Sequence, residues 1–199
     1  MEAEKFKLKD LLLGLVVPII VGLLIIAFPT IIRPGAIGLF GDQSPLPHIL
    51  SFGFAQMLIF GIPLILGLIW NKWAGGAAGF ILGTVYYLSM AGYSTLTYLQ
   101  YGMTVNFFAD SSLLMYIVDG VLIGYIAGAL NNGSFTFKRM IGAGLIAAIT
   151  TALMQFMVNY YFAVDVNRQM TLGDPAYAFF LVIVPNIAVG ALMPIIAKV

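Results

Sequence analysis

Apolar residues fall into six long runs that are separated by short polar stretches. The runs cover residues 11–32, 49–70, 74–91, 112–130, 140–164 and 176–198. At a rise of about 1.5 Å per residue, each run is long enough, as a helix, to cross about 30 Å of hydrocarbon. The pattern predicts an all-α integral membrane protein, a six-transmembrane-helix bundle that forms a single transmembrane domain over residues 1–199.

The composition supports this class and excludes several functions. The chain is 61% hydrophobic and 9% charged, and its net charge of +1 comes without a basic patch for nucleic acid. It has no cysteine and one histidine, His48, so we expect no metal site and no cofactor. The runs also lack a pair of acids, a Ser-His-Asp set and an HExxH motif, so we expect no enzyme activity.

Lysine and arginine predict the orientation in the cell membrane. With the N-terminus inside, seven of the nine basic residues lie on the cytoplasmic side of this multi-pass chain and two, Arg33 and Arg168, lie outside. Both termini are then cytoplasmic. The outer connections, 34–48, 92–110 and 165–175, are longer than the inner ones, which suggests that the outer face has a function.

Glycines recur at every fourth position in two of the runs. Glycine lets helix backbones approach closely in lipid, where apolar side chains gain little by leaving acyl chains. The spacing therefore predicts helix-packing faces, formed by Gly75, Gly79 and Gly83 in the third run and by Gly120, Gly124 and Gly128 in the fourth.

Polar side chains concentrate in the outer halves of the predicted helices. Asp119 is the most unusual, because a carboxylate at the bilayer centre costs about 2.5–3.5 kcal/mol. We expect a ligand-binding cavity that opens outward and is lined by Asp119, Gln155, Asn159, Tyr86, Tyr87, Gln56 and Asn186. Aromatic rings and one acid favour a heterocyclic, cationic ligand. Two alternatives are interhelical hydrogen bonds and a buried pair of Asp119 with Arg33 or Arg168.

Three stretches are similar to those of a known family. They read GLIWNKWAGGAAGFILGTVYYL, VDGVLIGYIAGAL and VPNIAVGALM. With six spans in about 200 residues, the chain resembles the substrate-binding S components of energy-coupling factor transporters. The resemblance implies a vitamin-type small-molecule ligand in the outer half, and partners that dock from the cytoplasm: a coupling transmembrane protein and ATPase subunits. In the first run Gly14, Pro18 and Gly22 occupy the face where that family often has alanines.

A different class of protein fits the same composition. A non-catalytic accessory subunit of a larger membrane complex, of the respiratory or oxidase type, would use the 15 phenylalanines, 10 tyrosines and the glycine faces for contacts with lipid and neighbouring subunits. Such a subunit would be isolated only together with its partners, whereas a binding protein would be monodisperse alone and carry a small molecule.

Cysteine labelling tests the orientation. Because the chain has no cysteine, Ser44→Cys and Ser134→Cys each introduce one reactive thiol. In intact cells we expect a membrane-impermeant reagent to label Ser44→Cys, and to label Ser134→Cys only after permeabilisation. Labelling of Ser134→Cys in intact cells would contradict the orientation.

Overall fold

The computed structural model describes residues 16–27, 31, 33–41, 56–162 and 175–198. Every regular element in these ranges is helical. In chain order the elements are α1 (Val17–Ala27), α2 (Arg33–Phe40), a π-helical turn (Met57–Gly61) that continues into α3 (Ile62–Ile69), α4 (Lys72–Gln100), a 3-10 turn (Phe107–Ala109), α5 (Ser111–Asn131), α6 (Phe137–Phe162) and α7 (Pro175–Lys198).

The helices have the length and composition of membrane spans. Three of them, α4, α5 and α6, are long and apolar enough to cross a membrane, and Met57–Ile69 and Val182–Lys198 are shorter apolar helical segments. The prediction of an all-helical chain is confirmed over the described residues, and three of its helices have the length and composition that crossing a membrane requires. The number of six spans and the cytoplasmic position of both termini stay predictions.

Helix α4 is longer than its apolar run. The run ends at residue 91, but the helix continues to Gln100. Its hydroxyl groups do not interrupt it, because the Thr97 hydroxyl donates to the carbonyl of Tyr93 one turn earlier. The helix ends where Gly102 adopts a φ of 74° and Met103 N–H donates to the carbonyl of Tyr98. This is a glycine-based C-terminal cap. The polar composition of the segment alone does not show where it lies.

Helices α3 to α7 alternate in direction and form an up-and-down bundle. Helices α4 and α5 make the most extensive contact, followed by α6 with α7 and α5 with α6. In the contacts described below, α3 and α5 run in one direction and α4 in the other. The two ends of the bundle are called here the Ser111 end and the Asn131 end, after the first and last residues of α5. They correspond to the predicted outer and cytoplasmic sides.

Three backbones meet near the Asn131 end. A Cβ atom added to Gly75 of α4 would lie 2.6 Å from the carbonyl oxygen of Gly124 in α5 and 2.8 Å from the Cα of Gly67 in α3. Real Cβ atoms do not approach other atoms this closely, so none of the three positions accepts a larger residue without a shift of backbone. The helices here are in direct main-chain contact.

The main-chain contact between α4 and α5, called here the seam, continues along both helices from Gly75 and Gly124. Gly120 faces Gly79, and a Cβ on Gly120 would lie 2.6 Å from the Gly79 carbonyl oxygen. A Cβ on Gly83 would lie 2.7 Å from the Cα of Ile117, and one on Gly128 would lie 2.5 Å from the Cα of Lys72. The contact therefore runs over about three helical turns of α4 and α5.

Helices α6 and α7 use the same kind of contact once. A Cβ on Gly144 would lie 2.6 Å from the carbonyl oxygen of Gly190, and a Cβ on Gly190 would lie 2.6 Å from the Cβ of Ala148. This contact holds α7 close to the face of α6 that carries Ala148, Thr151 and Gln155, all of which are buried.

Leucine at the seam should destabilise the bundle. Gly83→Leu and Gly124→Leu should each lower the free energy of unfolding in detergent by about 1–3 kcal/mol or more, because the new side chain must separate two backbones. Gly142→Leu is the matched control, since a Cβ on Gly142 meets nothing within 4 Å. Its stability should not fall by more than about 0.5 kcal/mol. Equal melting temperatures for all three variants would contradict the seam.

Candidate functional site

Helices α5 and α6 pack antiparallel, and contacts at both ends fix their register. The Ser111 hydroxyl donates to the carbonyl of Phe162 (3.0 Å), and the guanidinium Nε of Arg139 donates to the carbonyl of Leu130 (3.0 Å). Between these two contacts, Asp119 of α5 lies at the level of the α6 turn that carries Thr151 and Gln155. These residues are in the half of the bundle nearer the Ser111 end.

Asp119 is completely buried. Its exposed fraction is 0%, and it shares one face of α5 with Ser112, Tyr116 and Ile123, which are buried as well. Within the described part of the chain, neither carboxylate oxygen has a hydrogen-bond partner. The side chain of Arg33 and all of Arg168 lie outside the described residues, so the pairing of Asp119 with either stays a prediction.

A buried amide pair joins α6 to α7. The Asn186 amide nitrogen donates to the side-chain oxygen of Gln155 (3.0 Å) and to the carbonyl of Val182 (2.9 Å). The pair leaves two amide atoms without a described partner, the nitrogen of Gln155 and the oxygen of Asn186. Both side chains are 1% exposed. The contact accounts for one hydrogen bond of each amide and leaves further capacity on the same side chains.

Two more buried amides lie nearer the Ser111 end. Together with Asp119, Gln155 and Asn186 they form what is called here the polar layer. Asn159 lies one turn beyond Gln155 on α6 and is buried, with an unpaired side-chain oxygen. Gln56 precedes the π-helical turn, is buried, and has neither amide atom paired among the described residues. One turn after Gln56, the ring of Phe60 stacks on Tyr116 with centroids 6.0 Å apart. Because α3 and α5 run in the same direction, this contact places Gln56 one turn nearer the Ser111 end than Tyr116, and about two turns from the level of Asp119.

The two predicted tyrosines of α4 have different surroundings. Tyr86 is buried, and its ring lies 4.5 Å from that of Tyr116, at the border of the polar layer. Tyr87 donates its hydroxyl to the carbonyl of Phe108 (2.8 Å) in the segment before α5. Tyr86 therefore packs against Tyr116 inside the bundle, whereas Tyr87 binds the segment that connects α4 to α5.

The polar layer is an unusual concentration of unsatisfied groups. Nine buried side-chain nitrogen and oxygen atoms lack a hydrogen-bond partner among the described residues, and seven of them belong to Gln56, Asp119, Gln155, Asn159 and Asn186. Each such atom costs about 1–3 kcal/mol, and more if it is charged. Buried polar groups in folded proteins are normally paired, so a cluster of this kind calls for a specific explanation.

The layer is sealed in this structure. The five side chains are between 0% and 5% exposed. A mainly apolar cleft of about 240 Å³ lies elsewhere, between the last turns of α4 and residues 103–106, and none of the seven predicted site residues lines it. Within the described ranges, no group of three or more His, Cys, Asp or Glu side chains could hold a metal ion.

Several residues that matter for the site were not found from the sequence. Gly67 and Gly190 are main-chain contacts, but each stands outside a four-residue glycine repeat. Asn131 donates its amide to the carbonyl of Leu68 (2.8 Å) across the bundle, and a position at the end of an apolar run is ordinarily read as interfacial. Tyr116 stood inside the fourth run, where an aromatic residue carries no signal of its own.

Comparison of the chain with protein-family models, with curated proteins and with solved structures gives no match.

Replacing the Asp119 carboxylate by an amide should stabilise the protein. In protein that holds no small molecule, Asp119→Asn should raise the free energy of unfolding by about 1–3 kcal/mol, because a neutral amide is less costly to bury without partners than a carboxylate. The measurement is equilibrium unfolding in detergent or lipid nanodiscs.

Asp110→Asn is the control for this change. Asp110 is equally buried, but it accepts from Ser112 N–H (2.8 Å) and lies at the N-terminus of α5, where negative charge is favourable. Its replacement should therefore not stabilise. A loss of about 3–5 kcal/mol in Asp119→Asn would instead show that Asp119 neutralises a buried arginine, Arg33 or Arg168.

Proposed function

We propose that this chain is the small-molecule-binding subunit of a membrane transporter. The ligand, of vitamin type, is held between the helices in the outer half of the bundle, in a cavity that opens outward. The chain spans the cell membrane six times with both termini in the cytoplasm. A coupling transmembrane protein and ATPase subunits supply the energy that moves the ligand across the membrane.

The observation that carries this proposal is the layer of unpartnered polar atoms. A structural hydrogen-bond network inside a membrane protein normally satisfies most of its members. At the Asn131 end a single amide atom is left over, because Asn131 donates to the carbonyl of Leu68 while its side-chain oxygen is unpaired. The layer around Asp119 leaves both carboxylate oxygens and parts of four amides unsatisfied. Convergent buried polar groups with spare hydrogen-bonding capacity are what a ligand site requires.

The packing at the Asn131 end supports a requirement for partners. The main-chain contact of Gly67, Gly75 and Gly124 leaves no space for a methyl group. A path for a solute past this point needs helices to separate, and nothing within a bundle so closely packed supplies the energy for it. A binding subunit that is driven by an ATPase module accounts for both features, the spare polar groups and the closed end.

Purification of the chain alone tests the proposal. In mild detergent it should elute as a monodisperse species, and denaturation should release a small organic molecule that mass spectrometry detects in near-stoichiometric amount. Asp119→Asn and Gln155→Leu should carry clearly less of it, whereas Asp110→Asn should carry as much as the wild type.

The opposite result identifies the rival function. If the chain is isolated only with other membrane proteins, and no small molecule accompanies it, the accessory-subunit function is supported and the binding function is contradicted.

A further inference from the structure

Most of the unpaired polar atoms in the layer around Asp119 are hydrogen-bond acceptors. Five are hydrogen-bond acceptors: the two carboxylate oxygens of Asp119 and the side-chain oxygens of Gln56, Asn159 and Asn186. Two are donors, the amide nitrogens of Gln56 and Gln155. A ligand that satisfies these groups must therefore donate more hydrogen bonds than it accepts. This inventory rests on the proposed function, in which the layer is the ligand site.

The layer also contains one buried carboxyl group, that of Asp119, for which the described residues provide no basic partner. Among the described basic side chains, Lys72 lies beside Gly128 at the Asn131 end, and Lys138 and Arg139 lie in the first turn of α6 at the same end. Lys198 lies over the ring of Phe137 there. The described elements around Asp119 thus contribute no basic side chain to its level of the bundle. A positive charge on the ligand would offset the cost of burying this carboxylate.

We propose that the site takes a compact organic cation, a protonated amine or amidine on a planar ring, which donates to Asp119 and the amide oxygens and accepts from one or both amide nitrogens. Atoms of both kinds are then satisfied by one molecule. At the border of the layer the ring of Tyr116 packs against those of Phe60 and Tyr86, and the three rings form an aromatic wall that suits a flat cation.

A bare metal ion fits the same atoms less well. A metal ion binds oxygen atoms at about 2.3–2.6 Å and would leave the amide nitrogens of Gln56 and Gln155 unpaired. The layer is also too long for one coordination sphere, because Gln155 and Asn159 alone are separated by about 6 Å along the axis of α6. An organic molecule of several atoms spans this distance.

Paired probes test the charge of the ligand. The protein in lipid nanodiscs, freed of any carried molecule, is titrated at pH 7 with two planar cations and their neutral counterparts of similar shape: 4-aminopyridine against aniline, and benzamidine against benzamide. Sodium chloride at matched ionic strength represents the bare cation. Binding is measured by isothermal titration calorimetry and by the shift of the melting temperature.

At least one organic cation should bind the wild type at least tenfold more tightly than its neutral counterpart. Asp119→Asn should weaken that binding tenfold or more and remove most of the preference for the cation. Asp110→Asn, which removes an equally buried carboxylate from the N-terminus of the same helix, should change it less than twofold.

Three outcomes would overturn the inference. Neutral probes that bind as well as the cations would exclude charge recognition but leave the binding function standing, as would the identification of a neutral or anionic co-purifying molecule. Stabilisation by sodium alone, lost in Asp119→Asn, would assign the layer to a metal ion. Binding of no probe, together with no co-purifying molecule, would overturn both this inference and the proposed function.

Discussion

Direct contact between glycine backbones is the constraint on which the rest of this structure depends. Helix α5 touches α4 through Gly79 and Gly120, and both touch α3 where Gly67, Gly75 and Gly124 meet. In lipid such contacts supply the attraction that apolar burial supplies in water. They also fix how the helices are rotated against one another, since turning α5 about its axis would bring side chains into positions that have no space for a Cβ. Asp119 precedes Gly120, so its place in the bundle follows from this contact.

The two ends of the bundle consequently use polar groups in different ways. At the Asn131 end the polar groups mostly stabilise: Asn71 accepts from Ala74 N–H at the start of α4 (2.8 Å), and Asn131 donates to Leu68 (2.8 Å). In the layer around Asp119 the side chains retain unsatisfied atoms, so part of the stability gained by backbone contact offsets the cost of burying them. Sites that are less stable than their sequence could be made are characteristic of binding functions.

Most of the described helices could be predicted from the sequence, but α2 (Arg33–Phe40), which lies in a predicted connection, and the contacts of the side chains could not. Runs of apolar residues located α5, α6 and α7 to within a few residues, because an apolar run and a membrane-length helix coincide. The end of α4 was missed, since the hydroxyls of Thr97 and its neighbours resemble a loop although a helix satisfies them internally. Counting residues along helices brought Asp119, Gln155 and Asn186 to one depth. It could not show that Gln155 and Asn186 bond to each other, nor which of Tyr86 and Tyr87 faces inward, because both depend on how the helices rotate against one another.

The polar layer is buried, and the main-chain seam closes the bundle toward the Asn131 end. These two features together indicate from which end a ligand would reach the proposed site. Backbone contacts join α4 to α5 from the Asn131 end as far as Gly83 and Ile117. Beyond them, nearer the Ser111 end, the contacts include separate hydrogen bonds, such as Ser111 to Phe162 and Tyr87 to Phe108. Individual hydrogen bonds are worth about 0.5–1.5 kcal/mol each, so they can be exchanged at modest cost, but a contiguous main-chain seam opens only as a whole. On the proposed function, a ligand therefore enters from the Ser111 end, and its exit at the other end requires the work of partner subunits.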